Sequence, residues 1–267
     1  MNKVLHKLSF VFAITNGLPS IARLLWHSKL LRWSKTGFVK VGSPTAQTAI
    51  TIRHPLGSRL VNLRTYAGDI DIFYEIFFKK IYALPVAHST SINTIVDLGA
   101  NVGLSALYFL QQFPQAQVVC VEPEPTNFKM PELNLETEIT TGKVIAMEAA
   151  AMGEDGMVSF ESAPAKYNGR VILGAQNNIP ALSIPSIMQR CQFDRINLLK
   201  IDVEGAEKFI FSGDPVWLQS VDEILLEVHS QEDHATCMAA FERYHFKVEA
   251  LDADAANQNL FWASRSR

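Results

Sequence analysis

The sequence predicts an α/β protein built on a doubly wound, mostly parallel seven-stranded sheet, with an N-terminal helical and hairpin extension. Three observations predict it. From residue 92 onward, short apolar runs alternate with helix-length segments, the pattern of consecutive strand–helix–strand units. Runs such as Thr94-Ile95-Val96 and Leu198-Leu199-Lys200-Ile201 lack an in-and-out alternation, as expected of strands buried on both faces. The last two strands are joined only by Asp252–Gln258, too short for a crossover helix, so the final strand is expected to run antiparallel.

The 267 residues suit one large domain or a domain with a flanking segment. With 48% hydrophobic and 19% charged residues, disorder and low complexity are excluded. No apolar run reaches eighteen residues, so no membrane-spanning helix is expected. Cys120, Cys191 and Cys237 are far apart and form no CxxC pair. That argues against a disulfide framework or zinc site and predicts a reducing, cytoplasmic compartment. The net charge of −3 hides an asymmetry: residues 1–68 hold ten Lys/Arg and no acid, and the remainder carries the other fourteen bases and all 27 acids. The asymmetry divides the chain into a basic extension, 1–68, and a main domain, 69–267.

Residues 1–35 read as helical, with Leu5, Leu8, Phe12, Leu18, Ile21, Leu24 and Leu25 apolar and a break at Gly17-Leu18-Pro19. The start resembles a short signal peptide, but no clear A-x-A site follows. Two readings stay open for this segment: a cationic amphipathic element touching the inner face of a membrane, or helices packed on the sheet domain. Ala49–Arg53 and Arg59–Leu63 alternate around a Pro55–Gly57 turn, predicting a hairpin. Asp69–Leu84 predicts one aromatic-rich helix capped by Asp69. Strands are then expected at Thr94–Gly99, Gln117–Glu122, Lys143–Ala150, Asn197–Asp202, Glu223–His229, Phe246–Leu251 and Asn259–Ala263. Helices are expected near 103–113, 125–135, 185–191, 205–212 and 231–244, with a Gly/Pro-punctuated excursion over 153–182.

Ligands of open α/β sheets bind beyond the carboxyl ends of the strands. One such end is Asp97-Leu98-Gly99-Ala100-Asn101-Val102-Gly103, a buried strand running into a glycine-rich turn that opens a helix. Glycines permit a tight turn and close backbone approach, and the helix start offers free N–H groups. Nineteen residues after Gly103 the next strand ends at Glu122-Pro123, an acid placed to hold a ribose diol. The spacing is not the dinucleotide Gly-x-Gly-x-x-Gly, which disfavours a nicotinamide oxidoreductase. Asp97 would repel a pyrophosphate but suits an ammonium group. A ribose plus an amino-acid zwitterion describes S-adenosylmethionine, with Asp97, Gly99, Ala100, Asn101, Gly103, Glu122, Pro123 and Asp202 as its candidate contacts.

A second strand end, Lys200-Ile201-Asp202-Val203-Glu204-Gly205-Ala206-Glu207, brings Asp202 and Glu204 to the same edge. Glu207 is read as an acid favouring a helix dipole. The third, Leu226-Glu227-Val228-His229, ends at that edge too, where His229 beside a carboxylate suits a general base. Asp202, Glu204 and His229 are therefore the candidate catalytic residues, His229 as base and Glu204 as the alternative. The other histidines, His6, His27, His54, His88, His234 and His245, are read as surface or packing residues.

These segments together resemble the FkbM-type family of S-adenosylmethionine-dependent methyltransferases: a DxGANxG turn, EP-x-P at Glu122–Pro125, a KIDVEGxE block at Lys200–Glu207 and an LEVH-like strand at Leu226–His229. The resemblance covers roughly residues 60–230 and departs at Leu182-Ser183-Ile184-Pro185, where many members carry a T-L-D block. It implies a class I, Rossmann-like methyltransferase fold and O-methylation of a small molecule, sugar or lipid-linked glycan. Two alternatives stand beside it. One is a divalent-metal-assisted O-methyltransferase using Asp202 with Glu227 or His229. The other is a non-catalytic module binding through its basic N-terminal region. A nucleic-acid partner is not expected, because the sheet half is acidic and no Asn-Pro-Pro-Tyr-like block follows the fourth strand.

Overall fold

A computed structural model describes residues 3–38, 43, 46–85, 91–161, 170–172, 178–251 and 259–265. Helices α1 (Lys3–Ile14) and α2 (Leu18–Lys35) lead into the hairpin β1 (Gln47–Ile52) and β2 (Arg59–Arg64), then the short helix α3 (Asp69–Phe73). The alternating region follows: β3 (Thr94–Leu98), α4 (Leu104–Gln112), β4 (Gln117–Glu122), α5 (Pro125–Asn134), α6 (Glu136–Thr140) and β5 (Val144–Glu148). Strands β6 (Ala150–Ala151), β7 (Gly156–Glu161), β8 (Arg170–Ile172) and β9 (Asn178–Leu182) precede α7 (Ile184–Cys191). The chain closes with β10 (Ile196–Ile201), α8 (Glu207–Ile210), β11 (Val221–Glu227), α9 (Gln231–Arg243), β12 (Phe246–Ala250) and β13 (Leu260–Arg265).

The central sheet has seven strands in the order β12-β13-β11-β10-β3-β4-β5. Its five parallel members run from β11 to β5, and β13 is antiparallel to both β11 and β12. The doubly wound, mostly parallel fold predicted by strand–helix alternation is the fold observed. The 252–258 connection, on which the antiparallel final strand was argued, lies outside the described residues, as does His88.

Two cores explain why the strands lack alternation. Ile95, Val118, Leu198 and Leu225 point into one cluster, while Val96, Val119, Leu199, Ile224 and Leu226 point into the other. Both faces are apolar because both are covered. The first cluster also takes in Val11, Ile14, Leu24 and Leu31 of α1 and α2, Ile50, Ile52, Val61 and Leu63 of the hairpin, and Phe73. The basic extension therefore packs one of its faces into the core of the sheet. Truncating a fully buried member such as Leu24 to Ala should cost about 2–5 kcal/mol.

Four expectations are corrected. The helix expected over Asp69–Leu84 is one turn of α-helix continued by a π-helical stretch, Tyr74–Lys79, and it stops where Lys80 adopts φ 57°. Asp69 does not cap it; Gly68 holds that position at φ 93°. The Asp69 carboxylate instead accepts from the Arg64 backbone N–H at 2.8 Å and from its guanidinium at 2.9 Å. A buried Arg–carboxylate pair outcompetes a cap because leaving either charge unpaired there is costly. The excursion over 153–182, where no strand is expected, supplies β7, β8 and β9 of a small sheet ordered β6-β9-β7-β8, whose β6 lies just before it. The helix expected over 205–212 is a single turn, α8.

Candidate active site

Strands β10, β3 and β11 are parallel neighbours, with Ile201 in register with both Leu98 and Leu226, so the three predicted segments share one sheet edge. At the end of β3, Gly99 has φ 75°, and a Cβ there would lie 1.8 Å from the Asp202 carbonyl oxygen. Only glycine lets the two strands close at this point. The Gly99 and Ala100 amides donate to the Val121 carbonyl at 2.9 and 3.1 Å, fixing the turn against β4. Asn101 follows at φ 50°, and Gly103 at φ 79° is the N-cap of α4, which has no side-chain cap.

Glu122 ends β4 behind this turn. Its carboxylate accepts the Asn101 amide at 2.8 Å and the Glu124 amide at 3.0 Å, with a longer 3.4 Å contact from Asn127 Nδ2. Burial raises its pKa to about 7, against the opposing pull of those hydrogen bonds. Pro123 leads from it to Glu124, whose carboxylate caps α5 through the Asn127 amide at 2.6 Å.

Asp97 is fully buried, and its carboxylate is engaged within the protein. Lys200 Nζ lies 3.1 Å from its Oδ1, and the Ser105 hydroxyl donates to its Oδ2. Lys200, 2% exposed, also sits 3.5 Å from Asp202 and donates to the Gly99 carbonyl at 2.8 Å. Burial alone would disfavour the ammonium, but Asp97 and Asp202 outweigh it and hold its pKa above the ordinary value. Asp202 further accepts from the Tyr82 hydroxyl at 3.0 Å. The ammonium that Asp97 suits is thus supplied by the chain itself.

Glu204 adopts φ 55°, followed by Gly205 at φ 92°, so the chain turns sharply after β10. Non-glycine residues in this region carry strain and cluster at functional sites. Glu204 Oε2 lies 3.5 Å from His229 Nε2, and Asp202 Oδ1 lies 3.8 Å from the same atom. His229 Nδ1 is bonded to Glu207 at 2.7 Å. Glu207 is fully buried and accepts the Gly205 amide too, so it orients the imidazole rather than merely facing a helix dipole. Burial, then Asp202, raise the Glu204 pKa to about 7. Burial opposes the His229 charge, but the Glu207 hydrogen bond and the surrounding carboxylates raise its pKa to about 9.

A cleft of about 520 Å³ opens at this edge. Its sheet side includes Gly99, Asn101, Ser105, Asp202, Glu204 and Glu227; Lys7, Lys35 and Tyr74 belong to the facing wall. Ala100 and Lys200 also reach it, whereas Asp97, Gly103, Glu122 and Pro123 are not part of its lining and His229 opens onto a neighbouring pocket with Ser230, His234 and Phe261. Ligand atoms of Asp202, Glu204 and His229 all lie within 4.8 Å of one another, an arrangement able to hold a metal ion.

Sequence reasoning gave no role to Lys200, Tyr82 or the Glu207–His229 pair. Lys200 carried a usable signal: a lysine inside a strand buried on both faces requires carboxylate partners. Tyr82 carried none, since its reach to Asp202 spans 120 residues of chain.

The sequence matches the methyltransferase FkbM domain over residues 97–248. It is 29% identical over 217 residues to Methyltransferase 1 of Beauveria bassiana, covering 71% of this chain and 85% of that protein. It is 29% identical over 139 residues to the hexuronic acid methyltransferase AglP of Haloferax volcanii, covering 51% of this chain and 56% of that one. Among solved structures, methyltransferase FkbM from Methylobacillus flagellatus is similar with a TM-score of 0.49 and 15% identity, over 67% of this chain and 45% of that one. With the domain match spanning more than half its length and taking in all three strand ends of the cleft, this chain belongs to the FkbM methyltransferase family.

Proposed function

We propose that the protein transfers a methyl group from S-adenosylmethionine to a hydroxyl oxygen of a small-molecule, sugar or lipid-linked glycan acceptor, with Glu204 receiving the hydroxyl proton. The observation that carries this is Glu204 itself: a carboxylate lining the same cleft as the glycine turn, with a pKa of about 7. A base so tuned is partly ionised at neutral pH and basic enough to accept a proton. His229 lies 3.5 Å from it and is charged at neutral pH. It therefore steadies the Glu204 carboxylate, and it acts as base itself only at higher pH.

The cofactor supplies an electrophilic sulfonium methyl group. The residues suited to hold it are Gly99, Ala100 and Asn101, the uncapped start of α4, and Glu122 for the ribose hydroxyls. The cleft volume falls in the range of small-molecule sites. A sugar acceptor is supported by the name of the Haloferax relative. Calorimetry with S-adenosylmethionine, followed by labelled-methyl transfer into a small-molecule and glycolipid extract, tests the reading. A folded protein that binds no cofactor overturns it.

A divalent ion on Asp202, Glu204 and His229 is the second reading, favoured by the closeness of their ligand atoms. The oxygen-rich set suits a hard cation, while Lys200 at 3.5 Å from Asp202 opposes a second positive charge there. Full activity in a strong chelator removes this version.

A further inference from the structure

Ten large apolar side chains are prominently exposed among the described residues, and six of them fall within the first 38: Val4, Leu5, Phe12, Leu18, Trp26 and Phe38. They are ordered rather than scattered. On α1, Val4, Leu8 and Phe12 recur every four residues, with Leu5 beside them, in a stripe that borders the buried Val11 and turns away from the buried Ile14. On α2, Leu18, Ala22, Trp26, Lys29 and Trp33 form a stripe opposite the buried Ser20, Leu24 and Leu31. Trp33 packs edge-on against Trp26 at 6.3 Å and meets Phe38 at 5.7 Å, and the Lys29 ammonium lies 4.4 Å over its ring. Each helix is thus apolar twice over, once toward the core and once toward solvent.

The same helices carry six bases and no acid. Arg23 donates to the Ala49 carbonyl, and Arg53 reaches the Phe12 and Ala13 carbonyls beside them. These partners are neutral, so among the described residues Arg23 and Arg53 have no acid to offset their charge. Lys35 is ion-paired with Asp71 at 2.6 Å. No described helix is long and apolar enough to cross a membrane.

We propose that the outer faces of α1 and α2 form a docking surface for an anionic lipid bilayer. Aromatic and aliphatic side chains beside lysine and arginine match the boundary between acyl chains and headgroups, where indole rings settle and cations meet anionic heads. A second copy of the chain fits poorly, because pairing two such faces would bring Lys29 and Arg32 of each copy against those of the other. Lys7 and Lys35 of these helices also line the cleft, which places its wall beside the docked surface. Resting on the methyltransferase reading, the acceptor is then an amphiphile that enters the cleft headgroup first.

The test is co-sedimentation of the full chain with vesicles of phosphatidylcholine alone and of phosphatidylcholine mixed with phosphatidylglycerol, at low and high salt. The expected result is binding to the anionic vesicles that weakens with salt. The triple variant Phe12→Ser, Leu18→Ser, Trp26→Ser should lower the partition coefficient at least about tenfold while keeping the wild-type circular dichroism and melting curve. Equal pelleting of wild type and triple variant overturns the proposal, as does wild type staying in the supernatant throughout. A lipid-free dimer that the triple variant dissolves also overturns it, assigning the face to self-association. Should the triple variant unfold, Lys29→Glu with Arg32→Glu serves instead, with loss of anionic-vesicle binding expected and unchanged binding overturning. Calorimetry with S-adenosylmethionine reads the enzymatic premise separately: failure there leaves the vesicle result standing and removes only the amphiphilic acceptor.

Discussion

The turns after β3 and after β10 sit side by side at the cleft and solve opposite problems. Both contain a non-glycine residue at positive φ, Asn101 in one and Glu204 in the other. In the first, charge is hidden: Asp97 is buried against Lys200, and Glu122 accepts backbone amides. In the second, charge is presented: Asp202 and Glu204 reach the cleft, where Glu227 joins them from the end of β11. The difference teaches that one edge of the site is a shaped backbone surface and the other a set of titrating groups. Lys200 joins them, because its ammonium faces carboxylates from both.

Breaking that joint should give the largest effect. Lys200→Met leaves Asp97 buried without a counter-charge and should cost about 3–5 kcal/mol in urea denaturation, with part recovered on adding Asp97→Asn. Next, Glu204→Gln should lower single-turnover methyl transfer roughly 10²–10⁴-fold at saturating cofactor, with cofactor affinity nearly unchanged. His229→Ala run in parallel sharpens the assignment, since a deeper loss in that variant would make the histidine the base. Wild-type kcat/KM should rise with pH through about 7, because a base works only when unprotonated and Glu204 is raised to that value. A limb near 9 instead would report His229.

On the other edge, Glu122→Ala should weaken S-adenosylmethionine binding about a hundredfold, the loss of a charge-assisted contact on the order of 2–3 kcal/mol. Since a diol binds the ionised carboxylate and Glu122 has a pKa of about 7, affinity should fall as pH drops below 7. Calorimetry across pH checks both. The smallest effect is expected from Tyr82→Phe, which removes one hydrogen bond to Asp202 and should cost about 1.5 kcal/mol in thermal unfolding.

The same contrast explains what was legible in the sequence. The glycine turn could be read because one requirement is local: Gly99 and Gly103 stand at positive φ within one strand–turn–helix unit, although the atoms that exclude a side chain there belong to Asp202, Pro131 and Leu135. The doubly wound sheet followed from strand–helix alternation, and with it the convergence of Asp202, Glu204 and His229 at one edge. The charged network was harder, since Tyr82, Asp97, the pair Lys200 and Glu207, and His229 come from four separate stretches and meet only in the folded chain. Asp69 misled for a related reason. Its spacing fits a cap, yet Arg64 sits five residues away and captures the carboxylate. Which group lines the cleft, Glu204 rather than His229, depends on a backbone twist at Glu204 that composition does not announce.

The interleaved strand order β12-β13-β11 sets a schedule for assembly. Strand β12 precedes β13 in the chain yet lies outside it, so β12 has no place on the sheet until β13 has paired with β11. Until then β11, which ends at Glu227 just before His229, is an open edge with Ile224, Leu225 and Leu226 ready for any other strand. The hairpin of β12 and β13 therefore acts as a latch on the titrating half of the site. On a ribosome, the glycine turn and Glu122 can take shape while that latch is still being synthesised, leaving the half that handles the proton to mature last.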